Sequence, residues 1–535
     1  MLAINNKVIS IIIRFHNEAL YLPTVFKALR QQVIDASIEL IAVNNKSTDD
    51  SRAIAEYFSD IVLDIDHYEP GKALNMAIGK SSGSVIVVLS AHTLPGNNHW
   101  LRKLISPLLK PMHDRTLIAT YGAQIYPFYS QFLDKRDLDI FNFSSNRKEY
   151  SDSDFWNANS AFKRKIWELN KFSEKVYELE DHFWTKEILS KGEGYVFFNQ
   201  DAYVYHYGHN ERIDRKYPNI SSTHYQDKIH EAKELLTSSS RWEDVMQASL
   251  ICNTVSNGLI TDEIIELLGF HLLRHWDFDV RWRIAQTLGN IPNAKSIFYL
   301  TKALKDNSFY PRNEAAWSLR KLLPDSLELV TNKFNTASGE EKLYAAFVMG
   351  SSDDFSSQKK SCHCLKTLLN SKNHDDVLTS LYIIGEITSN IYIRDTIVDI
   401  MNILHENSRP DKVIAVSIWC LGRIYESCKY DFPISLLLYL CKNHQNYLVR
   451  YEAINAIARY LGTDFSVSIV EEIHSCFYLE QDNRVKYAIS QLFQVLCGKE
   501  YLSDNLLQSL KTGNNDYGVD FEIQMAVNSC IKTEV

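Results

Sequence analysis

No cysteine precedes Cys252, and no stretch of the chain approaches the about 18 consecutive apolar residues of a membrane-spanning helix. The start, MLAINNKVISIIIRF, has one lysine and only a short apolar run, which is too little for a secretory signal. The nine cysteines are irregularly spaced, so we expect free thiols in a reducing compartment. These features predict a cytoplasmic protein without a transmembrane segment and leave open a peripheral contact at the inner face of the membrane.

Positive charge is also scarce, because 57 Lys and Arg residues stand against 66 Asp and Glu residues, a formal net charge of -9. A nucleic-acid partner requires a basic face, so we expect none. Cys362-His363-Cys364 could bind a metal, but one tight cluster without a second pair favours ordinary thiols. A length of 535 residues exceeds what one hydrophobic core supports, so at least two domains are expected.

The first part of the chain, to about residue 235, alternates continuous apolar runs with segments of helical spacing. The apolar runs lie at 8–13, 38–43, 61–65 and 84–89. Such runs are typical of parallel strands that are buried on both faces, with helices between them. We therefore predict an α/β domain with a Rossmann-like, mostly parallel sheet over residues 1–235. Ligands bind beyond the carboxyl ends of such strands, where Ser90-Ala91-His92 falls.

The second part, predicted as a domain over residues 240–535, consists of successive helical segments with a loose repeat. The unit occurs seven times, for example as DFDVRWRIAQTLGNI and PDKVIAVSIWCLGRI. Aligning Gly289, Gly350, Gly385 and Gly422 gives spacings of 61, 35 and 37 residues, the first covering two repeats. The pattern resembles HEAT repeats, which implies an all-α solenoid of stacked helix pairs. An ordinary helical domain is the alternative.

The segments VISIIIRFHNEALYLPTVFKALRQQ, IELIAVNNKSTDDS and PGKALNMAIGKSSGSVIVVLSAHTLP resemble the family-two inverting glycosyltransferases of the GT-A fold. The resemblance covers roughly residues 7 to 210. It implies a nucleotide contact at the end of the first strand. That contact would involve Arg14, Phe15, Asn17 and Glu18. At the end of the second strand, Asn44 replaces the aspartate that the family usually has, and an amide can still donate and accept hydrogen bonds.

The resemblance also implies a site for the diphosphate of a nucleotide sugar. Lys72, at the start of a helix, would face the nucleotide, where backbone amides also favour anions. Ser90, Ala91 and His92 occupy the place of the family's Asp-x-Asp motif, and His92 would contact a divalent metal ion, Mn²⁺ or Mg²⁺. His206 or His209 would supply a second ligand. A loop histidine without a ligand role is the alternative for His92.

The motif Glu180-Asp181 matches the acid–base part of the family's late core. The resemblance implies that Asp181 is the general base that removes the proton of the acceptor hydroxyl, while Glu180 orients the site or holds the acceptor. An exposed acidic helix start is the alternative. Four further residues match the family's sugar-binding surroundings, namely Trp156, Asn157, Asn159 and Trp184.

We therefore predict an inverting glycosyltransferase that moves a sugar from a nucleoside-diphosphate sugar to an acceptor hydroxyl. The resemblance favours bacterial surface polysaccharide biosynthesis, with a saccharide acceptor. Alternatively, the repeat domain could hold a protein or peptide that is glycosylated or is otherwise a partner. A third alternative is a degenerate, non-catalytic scaffold, because carboxylates are missing at Asn44 and Ser90.

Overall fold

The computed structural model describes residues 8–109, 116–127, 146–150, 153, 155–192, 194–207, 224–255, 257–406, 408–462, 466–497 and 516–532. The chain forms two compact units. The first combines Met1–Arg212 with Val467–Val535, and the second is Ile213–Ser466. The change of sequence pattern near residues 235–240 therefore does not coincide with the division of the chain into compact units. The difference arises because the last helices pack on the N-terminal sheet, as described below.

A nine-stranded mixed sheet is the centre of the first unit. Its strands are β1 (Val8–Phe15), β2 (Ser37–Asn44), β3 (Ile61–Asp64), β4 (Val85–Ser90), β5 (Thr93–Pro95), β6 (Thr116–Ile125), β7 (Arg147–Glu149), β8 (Asn159–Lys163) and β9 (Gly194–His206). Their order is β3-β2-β1-β4-β8-β6-β9-β5, and β7 pairs with β9. Strands β3, β2, β1 and β4 are parallel, as are β6 and β9, whereas β8 runs antiparallel to both of its neighbours.

The strands of this sheet are continuous apolar runs because helices cover them. Residues 9–13 of β1 and 85–89 of β4 are buried throughout. The helices of the first unit are α1 (Leu22–Arg30), α2 (Ser51–Phe58), α3 (Pro70–Lys80), α4 (Trp100–Leu109), α5 (Arg164–Leu169), α6 (Glu180–Leu189), α21 (Val467–Leu479), α22 (Asn483–Cys497) and α23 (Tyr517–Lys532). The predicted fold class, a GT-A-like mostly parallel sheet followed by many helices, is confirmed.

The second unit is built from helices. They are α7 (Tyr225–Ser238), α8 (Trp242–Thr254), α9 (Asp262–Arg274), α10 (Phe278–Gly289), α11 (Ala294–Ala303), α12 (Phe309–Lys321), α13 (Leu327–Thr336), α14 (Gly339–Gly350), α15 (Phe355–Leu369), α16 (His374–Glu386), α17 (Ile397–His405), α18 (Asp411–Ser427), α19 (Ile434–Asn443) and α20 (Tyr447–Leu461). Short 3₁₀ turns lie at Asn257–Leu259 and Ile393–Thr396. Among the described helices, none combines the length and apolar content that a membrane crossing requires.

Local sequence explains where several of these helices begin and how closely they pack. Asp277, for example, caps α10 by accepting hydrogen bonds from the backbone amides of Asp279 and Val280. Gly385 lies against the next repeat, since a Cβ atom there would lie 2.3 Å from the Trp419 ring. The late glycine of the repeat thus allows close contact between successive helices. An all-helical solenoid fits this arrangement, and its assignment to the HEAT type stays a prediction.

Candidate active site

The register of the parallel strands brings the predicted nucleotide-binding residues to one edge of the sheet. Arg14 of β1 pairs with Ser90 of β4, and Phe15 pairs with Asn44 of β2. The three strands therefore end together, and the loops that follow them share this edge. Phe15 is buried, so its side chain belongs to the core and its backbone to the edge. The sheet thus provides the crevice that strands of this topology offer to ligands.

Arg14 connects this edge to two helix starts. Its guanidinium donates to the carbonyl oxygen of Pro70 at 3.1 Å and to Oε1 of Glu180 at 2.8 Å. Pro70 is the first residue of α3, where its fixed φ angle and missing N–H are compatible with a helix. Burial alone would lower the pKa of Arg14, but the neighbouring Tyr68, Glu180 and Asp181 side chains outweigh burial and raise it. Arg14 therefore remains a cation that neutralises Glu180.

Glu180 and Asp181 are the first two residues of α6, and both are buried. Leu179 precedes them with a φ of 57°, which turns the chain sharply into the helix. Asp181 accepts hydrogen bonds from the backbone amides of Asn157, at 2.7 Å, and His182, at 3.0 Å. Burial raises the pKa of Asp181, and the negative charge of Glu180 raises it further. The two carboxylates thus differ, since Glu180 forms an ion pair with Arg14, whereas Asp181 has a raised pKa and accepts from backbone amides.

His92 lies just beyond β4 between two partners. Its Nδ1 is 2.7 Å from Oε1 of Glu18, and its Nε2 is 3.2 Å from Oγ of Ser90. An ionised carboxylate can only accept, so Nδ1 carries the proton in this pair. Ala91 between them is buried and has no polar side chain to offer. Glu18, from the loop after β1, therefore fixes the orientation of the imidazole.

The two predicted metal ligands His92 and His206 do not fit one ion. Their rings are stacked, with centroids 4.9 Å apart and planes at 16°. The lone pair of an imidazole nitrogen lies in the ring plane and metal–nitrogen bonds are roughly 2.1 Å, so two stacked rings cannot both point at one ion. Nδ1 of His206 instead lies 2.7 Å from Oε1 of Gln124. His209 lies outside the described residues.

Across the described ranges, no group of three or more His, Cys, Asp or Glu side chains could hold a metal ion. Cys362 is buried, and its thiol donates to the carbonyl oxygen of Tyr392. Cys362 therefore serves the packing of α15, whereas His363 is exposed.

Asn44 has a carboxylate partner that the sequence analysis missed. Its Nδ2 donates to Oδ1 of Asp64 at 2.8 Å, and its Oδ1 accepts from the backbone amide of Ser47. Asp64 ends β3 and pairs with Asn44 across the sheet. The guanidinium of Arg52, 2.9 Å away, holds the pKa of Asp64 below its usual value. A negative charge thus lies next to the position where the family has its aspartate.

Two other predicted residues occupy exposed positions at this edge. Asn17 has a φ of 55° and accepts a hydrogen bond from the backbone amide of Thr48 at 2.7 Å, which joins the loops after β1 and β2. Lys72, in the first turn of α3, has a side chain that is 58% exposed, with its Nζ 3.4 Å from Glu69. Lys72 is therefore a cation available to a ligand from solvent.

Three of the residues matched to the sugar-binding surroundings contact other residues of the sheet domain. Asn159 is fully buried. Its side-chain Nδ2 donates to the carbonyl oxygens of Ala123 and Ala202, and its Oδ1 accepts from the indole N–H of Trp100. Trp184 is in the core of the sheet domain and donates to the carbonyl oxygen of Asn170. The Trp156 ring packs edge-on against His182, with centroids 4.6 Å apart. Asn157 differs, because its backbone amide contacts Asp181 directly.

Residues 10–169 match the family model described as "Glycosyl transferase family 2". The chain therefore carries a glycosyltransferase family 2 domain. The match spans β1 to α5 and includes the whole strand edge described above. The search of curated proteins found no match.

Several solved glycosyltransferase structures are similar at low identity. A mannosyltransferase from Pyrobaculum calidifontis, in complex with GDP-Man and Mn²⁺, is 15% identical over 64% of this chain and 85% of its own, with a TM-score of 0.34. Residues 1–349 of S. aureus TarS are 14% identical over 62% and 92%, with a TM-score of 0.32. Glucosyl-3-phosphoglycerate synthase from Mycobacterium tuberculosis, with Mn²⁺, UDP and glucosyl-3-phosphoglycerate, is 16% identical over 39% and 73%, with a TM-score of 0.28.

Proposed function

We propose that this protein transfers a sugar, with inversion, from a nucleoside-diphosphate sugar to an acceptor hydroxyl, and that Asp181 is the general base. The family match over residues 10–169 supports the reaction class. The observation that carries the assignment of the base is the environment of Asp181. This carboxylate is buried at the start of α6, its pKa is raised, and its neighbour Glu180 is neutralised by Arg14. A general base works best when its pKa approaches the working pH.

The chemistry follows from these positions. Asp181 takes the proton of the acceptor hydroxyl as the hydroxyl oxygen forms a bond to the anomeric carbon. The bond between that carbon and the diphosphate oxygen breaks on the opposite face, so the configuration inverts. The electron pair of the broken bond remains on the diphosphate. Lys72 and the free backbone amides at the start of α3 supply positive charge for this leaving group.

The polar groups at the ends of β2 and β3 are suited to the nucleoside. Asn44 and the ionised Asp64 form a hydrogen-bonding pair at the edge of the sheet. A carboxylate and an amide oxygen can accept hydrogen bonds from the hydroxyl groups of a ribose or from the N–H groups of a base. We assign the acceptor to the saccharide class, in keeping with polysaccharide assembly, and a protein or peptide acceptor is the alternative outcome of an acceptor screen.

The test of the proposal is Asp181→Asn, with Asp201→Asn as the control at an exposed aspartate of β9. Wild type is first screened with UDP-, GDP- and dTDP-linked hexoses for release of nucleoside diphosphate, with and without saccharide acceptors. We expect Asp181→Asn to bind nucleoside diphosphate as wild type does and to lose roughly two to four decades of turnover. NMR of the product's anomeric proton checks inversion. Wild-type turnover in Asp181→Asn would remove this residue from the mechanism, and absence of any release by wild type would favour a non-catalytic scaffold.

A further inference from the structure

The last helix, α23, packs on the sheet of the first unit at its β5–β9 edge. The backbone amide of Tyr517 donates to the carbonyl oxygen of Gly96 at 3.1 Å. Asp516 forms a β-bridge with Asn97 and caps the helix by accepting from the amides of residues 518 and 519. Its second carboxylate oxygen accepts from the hydroxyl of Tyr203 at 2.9 Å. The start of α23 is therefore fixed to the sheet through both backbone and side chains.

Three tyrosines at alternate positions of the β9 segment line the contact with the C-terminal helices. The ring of Tyr205 stacks on Tyr487 of α22, with centroids 4.0 Å apart. A Cβ atom at residue 518 would lie 2.2 Å from the Tyr205 ring, so a glycine is required for this close approach. The ring of Tyr207 packs against Phe521 of α23 at 5.1 Å. This periodicity of two places all three tyrosines on one face of the strand.

Phe521 also reaches the residues beside the candidate active site. Its ring centroid lies 6.2 Å from that of Tyr21, which in turn stacks on Tyr207 at 5.4 Å. The backbone amide of Tyr21 donates to the carbonyl oxygen of Glu18, at 3.0 Å. The backbone amide of Tyr207 donates to the carbonyl oxygen of His92, at 2.9 Å. Phe521 thus packs on two aromatic residues, each bonded through its backbone to one member of the Glu18–His92 pair.

We propose that helix α23 is a positioning element of the transferase site, in which Phe521 holds Tyr21 and Tyr207 and thereby aligns Glu18 with His92. This inference rests on the proposed function, because the Glu18–His92 pair lies at the same strand edge as Asn44 and Asp64, which are proposed to bind the nucleoside of the donor. Phe521 itself touches neither reacting group and acts through its neighbours. The C-terminal 467–535 segment is consequently part of the catalytic unit, although it lies some 300 residues beyond the family match.

Losing the contact of Phe521 with Tyr21 and Tyr207 should displace the Glu18–His92 pair, while all side chains proposed to take part in the reaction remain present. Removing the Phe521 ring takes away one aromatic contact of Tyr21 and one of Tyr207, so the stacked pair loses support on the side of α23. A displacement of about 1 Å at a reacting site can reduce the rate by roughly a hundredfold. We expect Phe521→Ala to lower kcat/KM for the donor by about ten- to a hundredfold. Phe521→Tyr, which keeps the ring, should restore most of this loss.

The experiment uses the full chain and a double-mutant cycle of Phe521→Ala with Tyr21→Ala. Donor kcat/KM and the Kd of nucleoside diphosphate are measured for both single variants and the double variant, with melting temperature as a check of folding. If Phe521 acts through Tyr21, the double variant loses little more than Tyr21→Ala alone. Gln524→Ala, at an exposed position of the same helix, is the control and should match wild type.

Three outcomes overturn the inference. The first is Phe521→Ala with the donor kcat/KM of wild type, and the second is a double variant in which the two losses multiply as independent effects. The third is a loss of donor kcat/KM in Phe521→Tyr as large as that in Phe521→Ala. Phe521→Tyr keeps the ring, so it should recover activity when its melting temperature equals that of wild type. If wild type itself neither binds nucleoside diphosphate nor releases it from a donor, the proposed function fails, and the inference fails with it. Wild-type turnover that Phe521→Ala leaves unchanged refutes only the role of the helix.

Discussion

Replacing Asp516 with Asn should stabilise the protein at pH 8 and have little effect near pH 4. Asp516 is fully buried at the start of α23, and burial raises its pKa from 3.8 to about 7, while hydrogen bonds from the amide of residue 519 and from Tyr203 lower it less. Asn has nearly the same shape as a protonated aspartic acid. Its side-chain oxygen can still accept from the amides of residues 518 and 519, and Asn is as good a helix cap as Asp.

The sign follows from the proton balance. A carboxyl group with a raised pKa binds its proton more tightly in the folded than in the unfolded protein, so its ionisation opposes folding. Below about pH 4 both states are protonated and nothing is lost. Stability then falls as the pH rises from about 4 to about 7, and above this window the loss is complete. The pKa of Asp516 rises from 3.8 to about 7, and each pKa unit corresponds to about 1.36 kcal/mol. The stability lost through ionisation of Asp516 therefore has an upper limit on the order of 4 kcal/mol.

Urea denaturation, followed by far-ultraviolet circular dichroism at pH 5 and pH 8, measures this effect. The difference in unfolding free energy between Asp516→Asn and wild type should be about two to three times as large at pH 8 as at pH 5. Glu522 and Asp520 also have raised pKa values, about 7 and about 6, and contribute equally to both proteins, so the difference isolates Asp516. Asp201→Asn on the exposed side of β9 should show no such difference. A stability difference that does not change with pH would refute the reasoning.

Two further predictions concern the helical unit. Ala316→Asp would place a carboxylate at a fully buried position of α12 and should destabilise this unit by several kcal/mol. Thermal melting would detect this loss as a lower transition temperature. An unchanged transition temperature would show that the repeat register is wrong. Gly385→Ala should lower the unfolding free energy by about 1–3 kcal/mol, because the new Cβ atom would meet the Trp419 ring. The control is Gly79→Ala in α3, where open space surrounds the glycine, and it should be neutral or stabilising. Equal effects of the two substitutions would contradict this packing.

The fold class was predictable because buried parallel strands leave a strong trace in the sequence. Runs such as 8–13 and 85–89 consist of apolar residues, so neither face of these strands is marked as facing solvent. The one exception, Ser10, is buried and donates a hydrogen bond to Glu39. The helical repeat was also visible, through the glycines that meet the next helix. Periodicity shows that a helix has a buried face, but it does not show which surface covers that face. The packing of 467–535 on the sheet could therefore not be predicted from the repeat pattern.

The candidate site was predictable only where adjacent residues carry its chemistry. The Glu180-Asp181 motif is one such case, and the structure adds the salt bridge to Arg14 that distinguishes the two carboxylates. Asn159 and Trp184 match a motif by spacing, but the polar atoms of both side chains are used by backbone and core partners. Spacing along the chain does not reveal such long-range bonds, because they depend on the register of strands and the packing of helices that are distant in sequence.

The two missing carboxylates show how the strand edge retains its charge. At the end of β2 the family's aspartate is replaced by Asn44, whose amide is bonded to Asp64 at 2.8 Å. At the end of β4 it is replaced by His92, whose ring is bonded to Glu18 at 2.7 Å. In each case a carboxylate from another segment lies one hydrogen bond away from the substituted position. The sequence shows two losses at these positions, whereas the folded edge places a carboxylate within hydrogen-bond distance of each substituted side chain, and the carboxylate of Asp64 also pairs with Arg52. The carboxylates beside Asn44 and His92 therefore weaken the non-catalytic alternative, which rests also on the missing carboxylate at Ser90.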